Sequence, residues 1–157
     1  MCREATLATA EDTRRWGNRL AQVLAPGDLV VLTGGLGAGK TTLTQGLAEG
    51  LGVRGPITSP TFVIARVHPS LVGGPDLVHV DAYRLGGVAE LDDLDLDASL
   101  DEAVTVVEWG HGLAEGLAED HLEVTLRGDG ARTVALSAQG PRWAGPEAAA
   151  ALDALAR

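Results

Sequence analysis

The sequence contains few aromatic residues and a single cysteine, and both shortages limit how the chain can be built. Aromatic residues make up 3% of the 157 residues, so the core must consist mainly of Leu, Val and Ala. Cys2 has no second thiol in the chain to pair with, which excludes an internal disulfide and fits a reducing compartment. No apolar run approaches the ~20 residues of a membrane span, and no signal-peptide segment is visible. We therefore expect a soluble cytoplasmic protein that does not contact a membrane.

Basic residues are also scarce. The chain has 22 acidic against 12 basic side chains, a formal net charge of −10. A surface this acidic repels phosphate backbones, so tight direct binding of tRNA or other nucleic acid is not expected. Apolar residues make up 45% of the chain, which is enough for one compact core at this length. The expected organisation is a single domain over residues 1–157.

The spacing of apolar residues predicts an alternation of helices and strands. An amphipathic helix over 9–25 would begin at a capping box formed by Thr9 and Asp12. The segments around 61–68 and 77–85 are expected to pair antiparallel, and the last two strands to form a hairpin. These patterns predict an α/β fold, a three-layer domain with a mixed central sheet flanked by helices. The remaining predicted elements are helices over 41–52 and 145–157 and strands over 29–33, 61–68, 77–85, 103–109, 121–128 and 131–139.

A glycine-rich stretch lies between the first predicted strand and the second helix. Gly34, followed by four residues and then Gly39-Lys40-Thr41, matches the phosphate-binding pattern G-x-x-x-x-G-K-[ST]. Glycines allow successive backbone N–H groups to point at an anion, and the following helix presents its positive end. In this pattern the ammonium of Lys40 neutralises β/γ-phosphate charge and the hydroxyl of Thr41 ligates Mg²⁺. The stretch indicates binding of a nucleoside triphosphate with Mg²⁺.

Hydrolysis would also require carboxylates close to that loop. Asp81 and Glu108 each follow an apolar run, at the carboxyl end of a predicted strand, where open α/β sheets place their ligands. Spacing does not decide which acid holds Mg²⁺ and which orients the attacking water. The guanine-recognition motif N-K-x-D is absent from the sequence, which favours adenine and therefore ATP.

Two other functions are compatible with such a loop. A stand-alone small-molecule kinase would need an acceptor pocket and usually an arginine-bearing lid, for which no long insertion is visible. A nucleotide sensor would bind without hydrolysis. A small ATPase without a second substrate site is typical of switches that change how they hold a partner.

The motifs together resemble the TsaE family, the ATPase component of bacterial t6A biosynthesis. The match is carried, in order, by GGLGAGKTTLTQGLAEGLG, ITSPTFVI, VDAYRL, ELDDLDLD and VVEWG, and covers nearly the whole chain. This resemblance implies a P-loop fold and a Mg²⁺-dependent ATPase that is weak alone. It also implies association with the TsaB–TsaD complex, which puts the threonylcarbamoyl group on A37 of ANN-decoding tRNAs.

The resemblance also implies roles for individual residues. Thr13 would lie near the base, Arg132 near the nucleotide, and residues 59–61 in a switch-like loop. Gly35 departs from the family, which usually has Asp there. The expected site comprises catalytic Lys40, Asp81 and Glu108; nucleotide-binding Thr13, Gly37, Ala38, Gly39, Lys40, Thr41, Thr42, Asp81 and Arg132; and metal-binding Thr41 and Glu108.

The histidines and the acidic run carry no assigned role. His68, His79, His111 and His121 show no zinc-ligand grouping. The acidic run over 90–102 does not fit an EF-hand calcium loop and is expected to be a charged surface.

Overall fold

The computed structural model describes residues 2–34, 39–55, 65–81, 102–108, 120–128 and 131–156. These contain three α-helices and a short 3₁₀ turn over Pro141–Trp143. None of the helices in these ranges has the length and apolar character needed to cross a membrane. The helices are α1 (Ala10–Ala21), α2 (Lys40–Leu51) and α3 (Pro146–Ala154), and the strands are β1 (Cys2–Leu7), β2 (Leu29–Gly34), β3 (Ala65–His68), β4 (Asp76–Asp81), β5 (Ala103–Glu108), β6 (His121–Arg127) and β7 (Arg132–Gln139).

The seven strands form one mixed sheet in the order β1-β7-β6-β2-β5-β4-β3. The four central strands are parallel: β2 pairs with β6 on one side and with β5 on the other, and β5 pairs with β4. The outer pairings, β1–β7, β6–β7 and β3–β4, are antiparallel. The predicted mixed sheet is confirmed, as are the antiparallel pair and the C-terminal hairpin. The parallel core brings the carboxyl ends of four strands to one edge of the sheet.

Both faces of the central strands are buried. All six residues of β5 are buried, as are five of the six residues of β2. Val30, Leu32, Val104 and Val106 pack in one cluster with residues of all three helices. Alternate residues of a strand face opposite sides of the sheet. The residues between these four are also buried, so the other face of the sheet is covered as well. A sheet covered on both faces is what the predicted three-layer α/β class requires, and the class is confirmed.

Helices α1 and α2 lie unusually close together because a glycine of each helix packs against the backbone of the other helix. A Cβ built on Gly46 of α2 would overlap the carbonyl oxygen of Arg14, and one built on Gly17 of α1 would overlap that of Leu43. Any side chain larger than hydrogen at these positions would push the helices apart. This close packing holds the start of α1 next to the start of α2.

Local signals in the sequence were confirmed at several positions. Thr9 and Asp12 form the predicted capping box at the start of α1. Trp16, expected in the core, is 2% exposed and donates from Nε1 to the Leu155 carbonyl at 2.9 Å. The edge strand β1 was missed, because only Ala5 and Leu7 of its six residues are apolar enough to signal a strand. Its position depends on pairing with β7, which lies more than 120 residues away along the chain.

Candidate functional site

The candidate site lies at the carboxyl edge of the parallel strands. In the register of the sheet, Leu32 of β2 pairs with Glu108 of β5, and Glu108 pairs with Asp81 of β4. The ends of three neighbouring strands are therefore level with one another. Gly34, the last residue of β2, lies two residues beyond Leu32 and leads into the glycine-rich stretch. This edge is where open α/β sheets bind ligands.

The amino terminus of α2 faces this edge without a side-chain cap. Its N-cap is Gly39, whose φ of +101° lies in the left-handed region that favours glycine. Glycine has no side chain with which to cap the helix, no side-chain cap is seen among the described residues, and the first turn contains no acidic residue. Helix amino termini carry a partial positive charge and backbone N–H groups that need acceptors. The chain thus leaves the positive end of α2 suited to an anion.

The ammonium of Lys40, at the start of α2, reaches back to the end of β2. Its Nζ donates to the Gly34 carbonyl at 2.7 Å, and the residue is 8% exposed. The hydroxyl of Thr44 donates to the Lys40 carbonyl at 2.8 Å, within the first turns of α2. Lys40 is the only lysine in the sequence. A buried cation at this position adds a full charge to the partial charge of the helix end.

Two residues distant in sequence approach the same glycine. An ideal Cβ built on Gly39 would lie 3.6 Å from Thr13 Cγ2 and 3.9 Å from Arg132 Nε. Thr13 is 1% exposed, and its hydroxyl donates to the Thr9 carbonyl at 3.4 Å. Arg132 begins β7 and pairs with Leu7 at the end of β1. The structure therefore brings Thr13, Gly39 and Arg132 together, although they are scattered along the chain.

The carboxylate of Glu108 is paired with a histidine that the sequence analysis left unassigned. His79 Nε2 lies 2.5 Å from Glu108 Oε2, and the two residues are 0% and 3% exposed. Glu108 shares a strand face with Val104 and Val106, which pack with the helices. The sequence does place His79 two residues before Asp81, in the alternation of a strand. Only the pairing of β4 with β5 shows that it meets Glu108.

The remaining predicted residues divide into those the structure describes and those it does not. Thr41 and Thr42 follow Lys40 in the first turn of α2 and are half-buried. Asp81 ends β4, and its position is known from the backbone register. No group of three or more His, Cys, Asp or Glu side chains that could hold a metal ion occurs in the described ranges. Gly37 and Ala38 lie outside the described residues, as do Gly35, residues 59–61, most of the acidic run over 90–102, and His111.

The fold and this site define a mixed α/β protein with a G-x-x-x-x-G-K-T sequence between β2 and α2, at the carboxyl edge of its parallel strands. The family model described as threonylcarbamoyl adenosine biosynthesis protein TsaE matches residues 7–134. The chain belongs to the TsaE family, as the motifs indicated.

Individual relatives agree with this assignment. The chain is 61% identical over 138 residues to the tRNA threonylcarbamoyladenosine biosynthesis protein TsaE of Streptomyces coelicolor, an alignment that covers 83% of this chain and 93% of that protein. It is 38% identical over 136 residues to the protein of the same name from Bacillus subtilis, covering 85% of this chain and 84% of that one. The fold is similar to the crystal structure of Bacillus subtilis YdiB, with a TM-score of 0.74 and 32% identity, covering 100% of this chain and 95% of that one.

Proposed function

We propose that this chain is a Mg²⁺-dependent ATPase that acts with the TsaB–TsaD complex in threonylcarbamoylation of tRNA adenosine 37. The observation that carries the proposal is a convergence at one sheet edge. There the uncapped start of α2, the buried Lys40 ammonium and the paired strand ends at Asp81 and Glu108 come together. Membership of a family named for threonylcarbamoyl adenosine biosynthesis supports the pathway.

The triphosphate would be held by the turn between β2 and α2. Backbone N–H groups in the first turn of α2 need acceptors, and phosphate oxygens supply them. The Lys40 ammonium now donates to the Gly34 carbonyl at 2.7 Å, a neutral acceptor that a phosphate oxygen can replace. A phosphate oxygen at that position would accept a charge-assisted hydrogen bond from the ammonium, and such bonds are about twice as strong as neutral ones.

The residues at this edge fit a magnesium ion. Mg²⁺ prefers hard oxygen ligands and usually takes only one or two protein groups, completing its shell with water and substrate phosphates. The Thr41 hydroxyl and the Glu108 carboxylate would supply those groups, and a larger cluster of acids is not needed. When bound, the ion would neutralise charge on the phosphate oxygens and so favour attack by water.

The two carboxylates at the edge would serve hydrolysis. Glu108 and Asp81 end adjacent parallel strands in register, so both belong to the edge at which the terminal phosphate would lie. A pair of carboxylates can hold the ion or its water and orient the attacking water molecule for in-line displacement. Because the chemistry is mainly positioning and electrostatic stabilisation, we expect slow turnover until a partner completes the site.

The nucleoside would extend from the triphosphate toward α1 and β7. Thr13 and Arg132 approach Gly39 from these two elements, and both lie at about van der Waals distance from the position that a Cβ on Gly39 would occupy. The Arg132 guanidinium supplies a second cation near the phosphates, and Thr13 a small surface near the base. The lack of an N-K-x-D motif in the sequence favours adenine.

The phosphate released from ATP tests the proposal directly. We expect slow release by the purified chain with ATP and Mg²⁺, and faster release when TsaB–TsaD is added. Glu108→Gln should reduce release by about 100- to 10,000-fold, the usual contribution of one positioned acid or base. Glu123→Gln, which changes a glutamate of β6 in the same sheet, is the matched control. Release that Glu108→Gln leaves unchanged, or that never responds to TsaB–TsaD, would contradict the proposal.

A further inference from the structure

The hydrogen bond between His79 and Glu108 links two strands at the edge of the site. His79 lies on β4 two residues before Asp81, and Glu108 ends β5 opposite Asp81. The hydrogen bond between His79 Nε2 and Glu108 Oε2, 2.5 Å long, therefore joins side chains on neighbouring parallel strands. In the strand register, His79 is level with the residue two before Glu108. Both side chains are almost completely buried, with exposed fractions of 0% and 4%.

A buried carboxylate needs a donor, and His79 is placed to be that donor. An ionised carboxylate only accepts hydrogen bonds, so a hydrogen bond to an ionised Glu108 requires the His79 tautomer that carries its proton on Nε2. Within the described residues, Nδ1 of the same ring has no hydrogen-bond partner. The contact with Glu108 is therefore the one hydrogen bond of the ring that the described residues show, and a buried imidazole without any hydrogen bond would be costly.

The bond restricts Glu108 to one orientation. A glutamate side chain has three rotatable bonds, and holding one carboxylate oxygen on a fixed ring removes most of that freedom. With Oε2 held by His79, Oε1 remains as the second acceptor of the carboxylate. Partners of this kind behind a metal ligand or catalytic acid are what keep it in productive geometry.

We propose that His79 is a positioning residue that holds the Glu108 carboxylate for its Mg²⁺ and water. This inference rests on the proposed function of Glu108 and deepens it. His79 does not touch nucleotide in this role; it acts through Glu108.

The test compares His79→Leu, which is similar in size but has no donor, with His79→Gln, whose amide can reach the position of Nε2. We expect His79→Leu to lower kcat by about 10- to 100-fold, the usual effect of losing a partner behind a metal ligand, with little change in KM for ATP. His79→Gln should recover most of the rate. His121→Leu is the matched control, since it removes another buried histidine that lies near a glutamate. His121 is at the amino end of the parallel strands, at the opposite edge of the sheet from the candidate site.

Calorimetry with a non-hydrolysable ATP analogue gives a readout apart from turnover. For His79→Leu we expect unchanged affinity in EDTA and about a tenfold smaller gain in affinity on adding Mg²⁺. A purely structural role would instead weaken binding equally with and without Mg²⁺, in step with a lower melting temperature. That result, or a His79→Leu enzyme as fast as the parent, overturns the inference.

Two further outcomes separate this inference from the proposed function. If the parent shows neither turnover nor Mg²⁺-dependent binding, the proposed function fails and the inference fails with it. If the parent turns over and only His79→Leu is indistinguishable from it, the proposed function stands and the inference alone fails. Should His79→Leu not fold, His79→Gln is compared with His79→Asn, whose shorter amide cannot reach Glu108; equal kcat values for the two overturn the inference.

Discussion

At the scale of single residues, Lys40 places a full positive charge at the start of α2. It is buried, it is the only lysine of the chain, and its ammonium donates to the carbonyl of Gly34, the last residue of β2. The motif around it could be predicted from sequence because all its parts are local. Positive φ at Gly39, a helix start at Lys40 and a preceding apolar strand are each encoded within a few residues.

Lys40→Ala should weaken ATP binding by roughly 10- to 100-fold, because hydrogen bonds to a charged group contribute about 1.5–3 kcal/mol. Calorimetry with a non-hydrolysable analogue measures this directly. Arg15→Ala, which removes an exposed cation of α1, is the control. Equal affinity in Lys40→Ala and the parent would remove Lys40 from the site.

His68 makes the stability of the chain depend on pH. Burial lowers the pKa of His68, and a hydrogen bond from Nδ1 to the Arg54 carbonyl at 3.1 Å opposes that shift only in part. The unfolded chain, with a histidine pKa of about 6.5, therefore takes up a proton before the folded chain does. This contribution to stability is present above pH of about 6.5 and declines as the pH falls below it.

His68→Asn tests this contribution, since an asparagine amide can replace the Nδ1 donor but does not titrate. Urea unfolding at pH 7.5 and 5.5 gives the difference in free energy of unfolding between the two conditions. We expect a smaller difference for His68→Asn than for the parent, because the variant lacks the titrating imidazole of His68. All other titrating groups are common to both proteins. The same difference in both proteins would show that His68 does not contribute.

Other residues of the site could not be identified from local sequence. Thr13 and Arg132 were expected near the nucleotide only through the family resemblance, and the structure shows that they meet at Gly39. His79 was missed because its partner lies 29 residues away on another strand. Contacts between strands depend on register, which is decided by packing of the whole sheet.

At the scale of elements, the site depends on the close packing of α1 and α2. Gly46 and Gly17 allow backbone contact between the helices, and an ion pair between Arg14 and Glu49 joins them at the surface. Arg14 also lowers the pKa of the Glu49 carboxyl, mainly through their hydrogen bond. Both side chains are exposed, so this pair adds little stability. The glycine contacts therefore set the distance between the helices, and with it the position of Thr13 over Gly39.

Gly46→Ala should force the helices apart, since the new Cβ would overlap the Arg14 carbonyl oxygen. We expect the free energy of unfolding to fall by about 1–3 kcal/mol, the usual cost of overpacking. This cost outweighs the gain in helix propensity from glycine to alanine. Thermal unfolding measures the change. Gly74→Ala is the control, because a Cβ there meets nothing closer than 3.9 Å. Equal melting temperatures for the two variants would contradict this account of the interface.

The helices and central strands were predictable because each has a strong period or a fully apolar run. Helix α2 begins and ends within one residue of the prediction, and β2 and β5 differ from theirs by one residue at the carboxyl end. Helix α1 ends at Ala21, earlier than the expected 25, since the chain turns before the proline at 26. Strand β1 could not be predicted, because its pairing with β7 is a long-range interaction.

At the scale of the whole molecule, the net charge of −10 bears on which partner the chain meets. Nonspecific binding of nucleic acid depends on cationic contacts to phosphates, and this chain has few cations to offer. A component of a tRNA-modifying system with this charge would act through proteins rather than by holding tRNA itself.

We therefore expect the isolated chain to bind tRNA no more tightly than roughly micromolar at physiological salt, the range of nonspecific binding. Filter binding at two salt concentrations measures this, with TsaB–TsaD alone as the comparison. Nanomolar binding by the isolated chain that persists as salt rises would contradict the proposed division of roles.

The proposed function requires the ATP triphosphate to lie against Lys40 at the start of α2. An acyl-phosphate derivative of ATP transfers its acyl group to a lysine next to the bound phosphates, and Lys40 is the only lysine that can accept it. Peptide mass spectrometry should find the label on Lys40 and find it suppressed by excess ATP with Mg²⁺, but much less by GTP. Labelling of Lys40 that excess ATP does not reduce, or no labelling at all by a folded chain, would contradict the account.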